Sequence, residues 1–581
     1  MGKKTKKKKL TEKEKEQRQQ KKEVRRLLTN IGFNRVPGIS GKQFIYEGRT
    51  SEIDEIFLYE NILLIVELTT TASPGEHLIN KKLFYDKINA SPVNFISFLL
   101  NEKAFEQFRI FYESPNRVHY SLNQIRVKIL YCSRYPISQE HKNQLKEVCF
   151  FEYPVLKYFD SISSIVKRSS RYEFFSFLNI RYDQIGENIL RSETGSNVKF
   201  SGHILPEEHS SFKEGYKIIS FYIDAASLLQ YAYVLRRDSW KSDSAISLYQ
   251  RMFQVKKIKS MRKYLNDQGR VFINNIVTVL PTDKIKLYDQ SGCQLQFDAR
   301  GNFPSSNSTR VQPAEIQIDN ETNIIGIVDG QHRLYAYHEG NDKYENIIKD
   351  LRKIQNLLVT GILYPEEESE AKRLKFEAEL FLEINANQTS ASSQLKQEIE
   401  LTIHPFSSTA IAKSILNMLN ESGPLENMFE SHFYEKHKLK TASTISFALK
   451  PLIKFTGSDS LYQIWDNARK TELLETDDID LLTNYKKFCA QEIRKIFIGI
   501  KDNVKSKTWD TIHFDTNGIL SVTVVNGILN CLRLLIENEK HCDDIQYYRE
   551  KFQGIDSFDF KTFKSSQYRK MGQAIYNTFF V

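Results

Sequence analysis

Ile324-Ile325-Gly326-Ile327-Val328-Asp329-Gly330-Gln331-His332-Arg333-Leu334 is the stretch that decides how this chain reads. An apolar run of this length makes a buried strand. The Asp-Gly pair ends the run, and Leu334 to His338 has a helical pattern, so the segment predicts a strand-to-helix elbow. Asp329 is suited to cap the helix. Gly330 permits a close backbone approach or an unusual dihedral. The first N–H groups of such a helix form an anion site. His332 and Arg333 stand where they can add charge-assisted contacts to phosphate. The spacing points to a phosphate-binding elbow; a plain helix cap with exposed polar residues is the blander alternative.

Around the elbow the pattern predicts an α/β unit over residues 213–400. It opens with a strand, Tyr216 to Ile223, and a long helical region that includes Tyr249 to Leu265. A strand over Val271 to Leu280 stops at Pro281, and a hairpin is expected over Ile285 to Phe297. Glu315 to Ile318 reads as a further strand, followed by a turn over Asp319 to Asn323. The polar stretch Ser192 to His209, with Gly195, Gly202 and Pro206, reads as a linker. Residues 401–581 are mostly helical in pattern, with apolar residues three and four apart in Ile411 to Leu419 and Ile519 to Leu535.

Before the linker, residues 27–195 read as another α/β domain. Strands are expected over Phe33 to Thr71, Arg126 to Cys132 and Cys149 to Tyr153. Helices are expected over Leu78 to Ile88, Asn94 to Tyr112 and Gln139 to Val148, and over Leu156 to Leu178 with a break near Arg168. Its chemistry-bearing residues are Ser51-Glu52-Ile53-Asp54 and Glu67, on neighbouring strands. Asp54 and Glu67 can meet across a hairpin, and paired carboxylates suit Mg²⁺, which keeps several of its waters. A metal held in this way activates water for phosphodiester cleavage. The plainest alternative makes Glu52 and Asp54 solvent-facing residues of an alternating strand.

Composition bounds the rest. The 581 residues are 40% hydrophobic and 27% charged, as expected for several ordinary domains and not for a collagen or a disulfide scaffold. No apolar run is long enough to span a membrane. The net charge is +10, yet residues 1–26 hold 13 basic and 4 acidic residues, which leaves about +1 for the remainder. The basic tail can add salt-sensitive phosphate contacts or simply be a solvated, partly helical segment, and residues 11–28 read as a charged helix leading into the first domain. Any nucleic-acid site in the body has to be a local patch. The six cysteines show no CxxC spacing, so neither a zinc ribbon nor a redox motif is indicated, and a reduced, cytoplasmic protein is expected. Gly38-x-x-Gly41-Lys42 lacks the spacing of a P-loop.

VDGQHRLYA resembles the signature of DGQHR-domain proteins, within the wider ParB/sulfiredoxin-like superfamily. Phe272 to Val277 is similar to the family's upstream strand, and Phe381-Leu382-Glu383-Ile384-Asn385 with Gln388 to its downstream segment. The resemblance implies nucleotide binding, with ATP or another NTP held at Asp329, Gly330, Gln331, His332 and Arg333. It implies a role in DNA modification or defence, such as that of the DNA phosphorothioation regulator. Gln331 stands where sulfiredoxin has its catalytic cysteine, so sulfinic-acid reduction is not expected. Asn385 and Gln388 match the second segment without an assigned role.

The pattern EID…IVELT resembles the PD-(D/E)xK restriction-endonuclease-like superfamily. That resemblance implies Asp54 and Glu67 as Mg²⁺ ligands. Thr69 stands where that superfamily has its catalytic lysine; Lys81, Lys82 or Lys87 from the next helix could replace it. Without a replacement the domain would bind DNA or protein and not cut. The expected architecture is thus a restriction-endonuclease-like α/β domain, a ParB/sulfiredoxin-like α/β domain and a helical C-terminal region. Expected partners are DNA and other modification or defence proteins, with no membrane, and self-association into a homo-oligomer is left open.

Overall fold

A computed structural model describes residues 11–189, 198–206, 215–234, 254–296, 310–319, 321–365, 369–386, 393–432, 434–435, 437–511 and 518–581. The protein is a multidomain α/β chain that divides into two compact units. One comprises residues 1–241 and 251–373; the other comprises 242–250 and 374–581. Among the described residues no helix is long and apolar enough to cross a membrane.

The first unit contains two mixed sheets. The N-terminal sheet has the order β1 (Asn34–Arg35), β4 (Glu55–Tyr59), β5 (Ile62–Thr69), β6 (Arg126–Ser133), β7 (Val148–Glu152). β4 and β5 form an antiparallel hairpin; β5, β6 and β7 run parallel. A separate hairpin, β2 (Gln43–Tyr46) with β3 (Arg49–Glu52), precedes β4. β5 carries the run Ile62 to Val66, every residue of it fully buried. Burying each such side chain is worth about 2 kcal/mol, so β5 anchors the sheet.

Helices cover both faces. α1 (Glu12–Ile31) and α6 (Tyr153–Val166) pack together, and α2 (Pro74–Ala90) lies across the strands that carry the acids. Pro74 starts α2, where its missing N–H costs nothing. The expected helix over 94–112 is two, α3 (Pro92–Asn101) and α4 (Glu106–Tyr112), joined by a 3₁₀ turn. That over 139–148 shrinks to α5 (Gln139–Asn143). The predicted break near Arg168 is present: α6 ends at Lys167, whose φ is +47°, and α7 (Arg171–Phe177) follows.

The basic tail divides. From Glu12 onward it is helix α1, as the charged helix read over residues 11–28 predicts, and it begins with a Thr11/Glu14 capping box. Val24, Leu27, Leu28 and Ile31 are buried beneath it. Its cations are used inside the domain. Lys21 and Arg25, with Arg35 of β1, surround the buried Glu55, and Arg26 pairs with Asp160. Burial would raise the Glu55 carboxyl, but Arg35 and Arg25 outweigh it and hold it below the usual range. Residues 1–10 lie outside the described set.

The second sheet has eight strands in the order β10 (Ala232–Val234), β14 (Ile325–Asp329), β11 (Ile276–Leu280), β15 (Asn356–Leu363), β9 (Lys217–Asp224), β8 (Lys199–Ile204), β13 (Gln312–Ile318), β12 (Ile285–Tyr288). Two expectations fail here. The stretch read as linker contains β8, which pairs with both β9 and β13. Gly202 looked like a loop signal, but it is a contact point: a Cβ there would sit 2.3 Å from the Ser220 carbonyl oxygen. The hairpin expected over 285–297 is reduced to a single bridge, Tyr288 to Gln294, because β12 takes β13 as its partner.

The two sheets of this unit are tied together beside the elbow. Arg171 of α7 makes a bidentate pair with Glu339 at 2.7 and 2.9 Å. The Arg168 N–H donates to the Glu339 carbonyl, and the Glu339 N–H donates to Ser169 Oγ at 2.9 Å.

The second unit is helical, as the spacing predicts. Helices Ser408–Glu421, Ile479–Lys501, Val522–Glu537 and Tyr568–Phe579 enclose one apolar core that includes Tyr485, Trp465 and Trp509. Helix Glu370–Ala386 carries Asn385, whose side chain is not among those described; Gln388 lies outside the described residues.

Candidate functional site

Asp54 and Glu67 converge at one end of the β4–β5 hairpin. Asp54 sits immediately before β4, and its Oδ2 accepts a 2.8 Å bond from the Leu68 N–H. Glu67 projects from β5 on the face covered by α2. The solvent-facing alternative holds for Glu52, which is exposed, and fails for Asp54, which is half-buried and bonded to the Leu68 N–H; Glu67 is 3% exposed. Lys81 reaches down from α2 and its Nζ donates to the Glu67 carboxylate. The same ammonium donates to the Glu52 carbonyl at 3.3 Å. Of the three lysines proposed to replace the one missing at Thr69, Lys81 joins the acids. Lys82 does not: it binds the Gln144 carbonyl at 3.0 Å and pairs with Asp86. Lys87 binds Glu47. The reason is helical phase, since Lys82 lies about 100° around the helix from Lys81.

The acids are strongly perturbed. Burial pushes the Glu67 carboxyl up to about 7; Asp54 adds to the rise and Lys81 offsets part of it. Burial also raises Asp54, against the Leu68 N–H and Lys81. Clustered, desolvated acids of this kind mark functional sites.

Sequence reading missed His77 and Tyr131. His77 lies one turn before Lys81 on α2, and Tyr131 on β6 pairs in register with Glu67 on β5. The Tyr131 hydroxyl donates to the Pro74 carbonyl at 2.8 Å and lies 2.8 Å from His77 Nδ1. Burial, and then Lys81, hold the His77 imidazole below its ordinary pKa. The i, i+4 spacing of His77 and Lys81 was the available signal. A cavity of about 270 Å³ opens beside them, lined by Arg49, Ser51, Glu52, His77, Asn80 and Lys81 among others.

Among the described residues no group of three or more His, Cys, Asp or Glu side chains is placed to hold a metal. The pair Asp54 and Glu67 still fits Mg²⁺, which is commonly bound by one or two carboxylates plus waters and substrate phosphate. The raised Glu67 fits as well, because a nearby cation would relieve the burden of a buried negative charge.

The DGQHR elbow has the expected order and different contacts. β14 ends at Asp329, Gly330 has φ +93°, and a five-residue helix, Gln331–Tyr335, follows. A Cβ at Gly330 would meet Ile276 Cα at 3.2 Å. Asp329 does not cap the helix; Gly330 occupies that position, and Asp329 pairs with Arg333 at 2.9 Å. Arg333 also donates to the Asn275 carbonyl at 2.8 Å, and His332 Nε2 accepts from the Gln254 N–H at 3.0 Å. The two side chains expected to meet phosphate are thus bonded within the fold. Gln331 is 1% exposed, and among the described residues neither atom of its amide has a hydrogen-bond partner. Below the elbow, the fully buried Arg262 binds the Ala336 and His338 carbonyls, Asp342 and Glu345. Arg352 binds the Tyr337 and His338 carbonyls beside it.

No protein-family model matches the chain, and no curated protein or solved structure matches it.

Proposed function

We propose that this is a DNA-directed protein of a modification or defence system, and that its N-terminal domain binds and nicks DNA with Mg²⁺. The observation that carries the reading is the convergence of Asp54, Glu67 and Lys81 at one end of β5. In this reading Asp54 and Glu67 hold the ion. A bound Mg²⁺ supplies charge stabilisation and activates water. Lys81 keeps Glu67 oriented and adds positive charge beside the scissile phosphate, the task left open by Thr69. Arg49, on the cavity wall, is placed to meet the DNA backbone. The work is cytoplasmic, with other modification or defence proteins as partners and a homo-oligomer as one form of assembly.

The test is plasmid nicking in Mg²⁺ or Mn²⁺. Nicking that disappears in Asp54→Ala and Lys81→Ala, but persists in Lys82→Ala, is expected. Nicking unchanged by Asp54→Ala sinks the reading.

Binding of ATP or another NTP at the elbow is the second part of the proposal. It is favoured by Gln331, whose buried amide has free hydrogen-bonding capacity next to Gly330. Calorimetric titration with ATP–Mg²⁺ tests it; retained affinity in a Gln331→Leu variant refutes it. The alternative is a non-enzymatic DNA-binding regulator. It predicts binding with steep salt dependence and no product. What favours it is the presence of two carboxylates at the site and not three.

A further inference from the structure

Resting on the nuclease reading above, we infer that His77 is the proton acceptor for the water that attacks the phosphodiester. Tyr131 has a single O–H, and the Pro74 carbonyl can only accept, so that proton points to Pro74. The remaining Tyr131 contact, to His77 Nδ1, must then be donated by the imidazole. In the neutral ring, which burial and Lys81 favour, His77 therefore carries its proton on Nδ1 and presents an unprotonated Nε2. Burial keeps the Tyr131 phenol protonated, so the arrangement does not invert.

The placement puts that Nε2 to use. α2 makes two side-chain contacts with the sheet one turn apart: His77 onto Tyr131 of β6, and Lys81 onto Glu67 of β5. Tyr131 and Glu67 are register partners, so the imidazole stands beside the acid–lysine cluster. His77 and Lys81 both line the cavity. Lys81, Asp54 and Glu52 are the charged groups that act on the ring. The other groups of the cluster are committed. Lys81 is bonded to Glu67, and Asp54 accepts from the Leu68 N–H. Nε2 has no bond within the described fold.

The step balances without an added oxidant or reductant. The water oxygen forms the new P–O bond, and its proton passes to Nε2. The P–O bond to the leaving sugar oxygen breaks with its electron pair, and solvent water protonates that oxygen.

The experiment uses the full chain, supercoiled plasmid and Mg²⁺ under single-turnover conditions. His77→Ala is expected to slow nicking about 100-fold, in the range of general-base catalysis. DNA affinity measured by anisotropy without divalent metal is expected to stay unchanged. Added imidazole is expected to restore part of the lost rate, which a purely structural role does not allow. His77→Gln can keep the bond to Tyr131, so it guards against misfolding and is expected to stay slow. Nicking by His77→Ala at the rate of the unaltered protein overturns the assignment of His77 alone. So does a loss that imidazole fails to restore. No nicking by the unaltered protein overturns the nuclease reading, and this inference with it.

Discussion

Lys81→Met removes the ammonium from Glu67 and keeps most of the side-chain volume. Its effect depends on pH in a way that tests the site directly. The Glu67 carboxyl is raised from an ordinary 4.5 to about 7. Each pKa unit is worth about 1.4 kcal/mol, so the ionised folded state carries a burden of about 3 kcal/mol. The sign follows from linkage. Nothing is lost below about 4.5, stability falls as pH rises toward about 7, and the loss then levels off. Without Lys81, burial and Asp54 act unopposed and raise the carboxyl further. The levelling-off moves to higher pH, and until it is reached stability keeps falling by up to about 1.4 kcal/mol per pH unit.

The variant should therefore match the unaltered protein at pH 5.5 and trail it increasingly above pH 7, by up to about 1.4 kcal/mol for each further pH unit. Hydrogen exchange of the β5 amides, corrected for intrinsic rates at each pH, reads the opening energy of this sheet. Tryptophan fluorescence is a poor substitute, since Trp465 and Trp509 belong to the second unit and Trp240 lies outside the described residues. A destabilisation that is the same at pH 5.5 and pH 9 refutes the reasoning. So does a pH-dependent loss that survives in a Glu67→Gln background.

Three further outcomes are expected. Gly202→Ala forces a Cβ to 2.3 Å from the Ser220 carbonyl; it should separate β8 from β9 and lower the thermal midpoint of the first unit, whereas an unchanged midpoint contradicts the packing described. Deleting residues 1–10 should leave solubility intact, while deleting through Ile31 strips α1 from the apolar surface it covers and should give aggregated protein on gel filtration. His338 is held at about 3 by burial and by Arg262. Its contribution is complete above about 6.5 and is lost as pH falls toward about 3, at up to about 1.4 kcal/mol per pH unit. The acid limb of stability should accordingly be shallower in His338→Gln, and an unchanged limb in urea titrations from pH 7 to pH 4 counts against this.

Local sequence determined a great deal. The strands that carry the acids, β14 running into the elbow, the break at Lys167 and the helical second unit all follow from short-range apolar periodicity and breakers. Those signals act within a few residues, so they are legible without the fold. Asp54 and Glu67 were legible too, because a two-strand hairpin fixes their separation. Tertiary structure alone decided the rest. It selected Lys81 over Lys82 and Lys87, since only the seating of α2 on the sheet determines which helical face meets Glu67. It brought Tyr131, 54 residues away in sequence, to fix the imidazole of His77. It turned a supposed linker glycine into a point of close strand approach in β8, and it seated the charged N-terminal helix so that its cations neutralise Glu55 and Asp160. At the elbow, the sequence placed Asp329 and Arg333 four residues apart. That they pair with each other while the Gln331 amide and Arg333 Nε stay unsatisfied was decided by burial, which makes an unpaired charge far more costly than an unpaired amide.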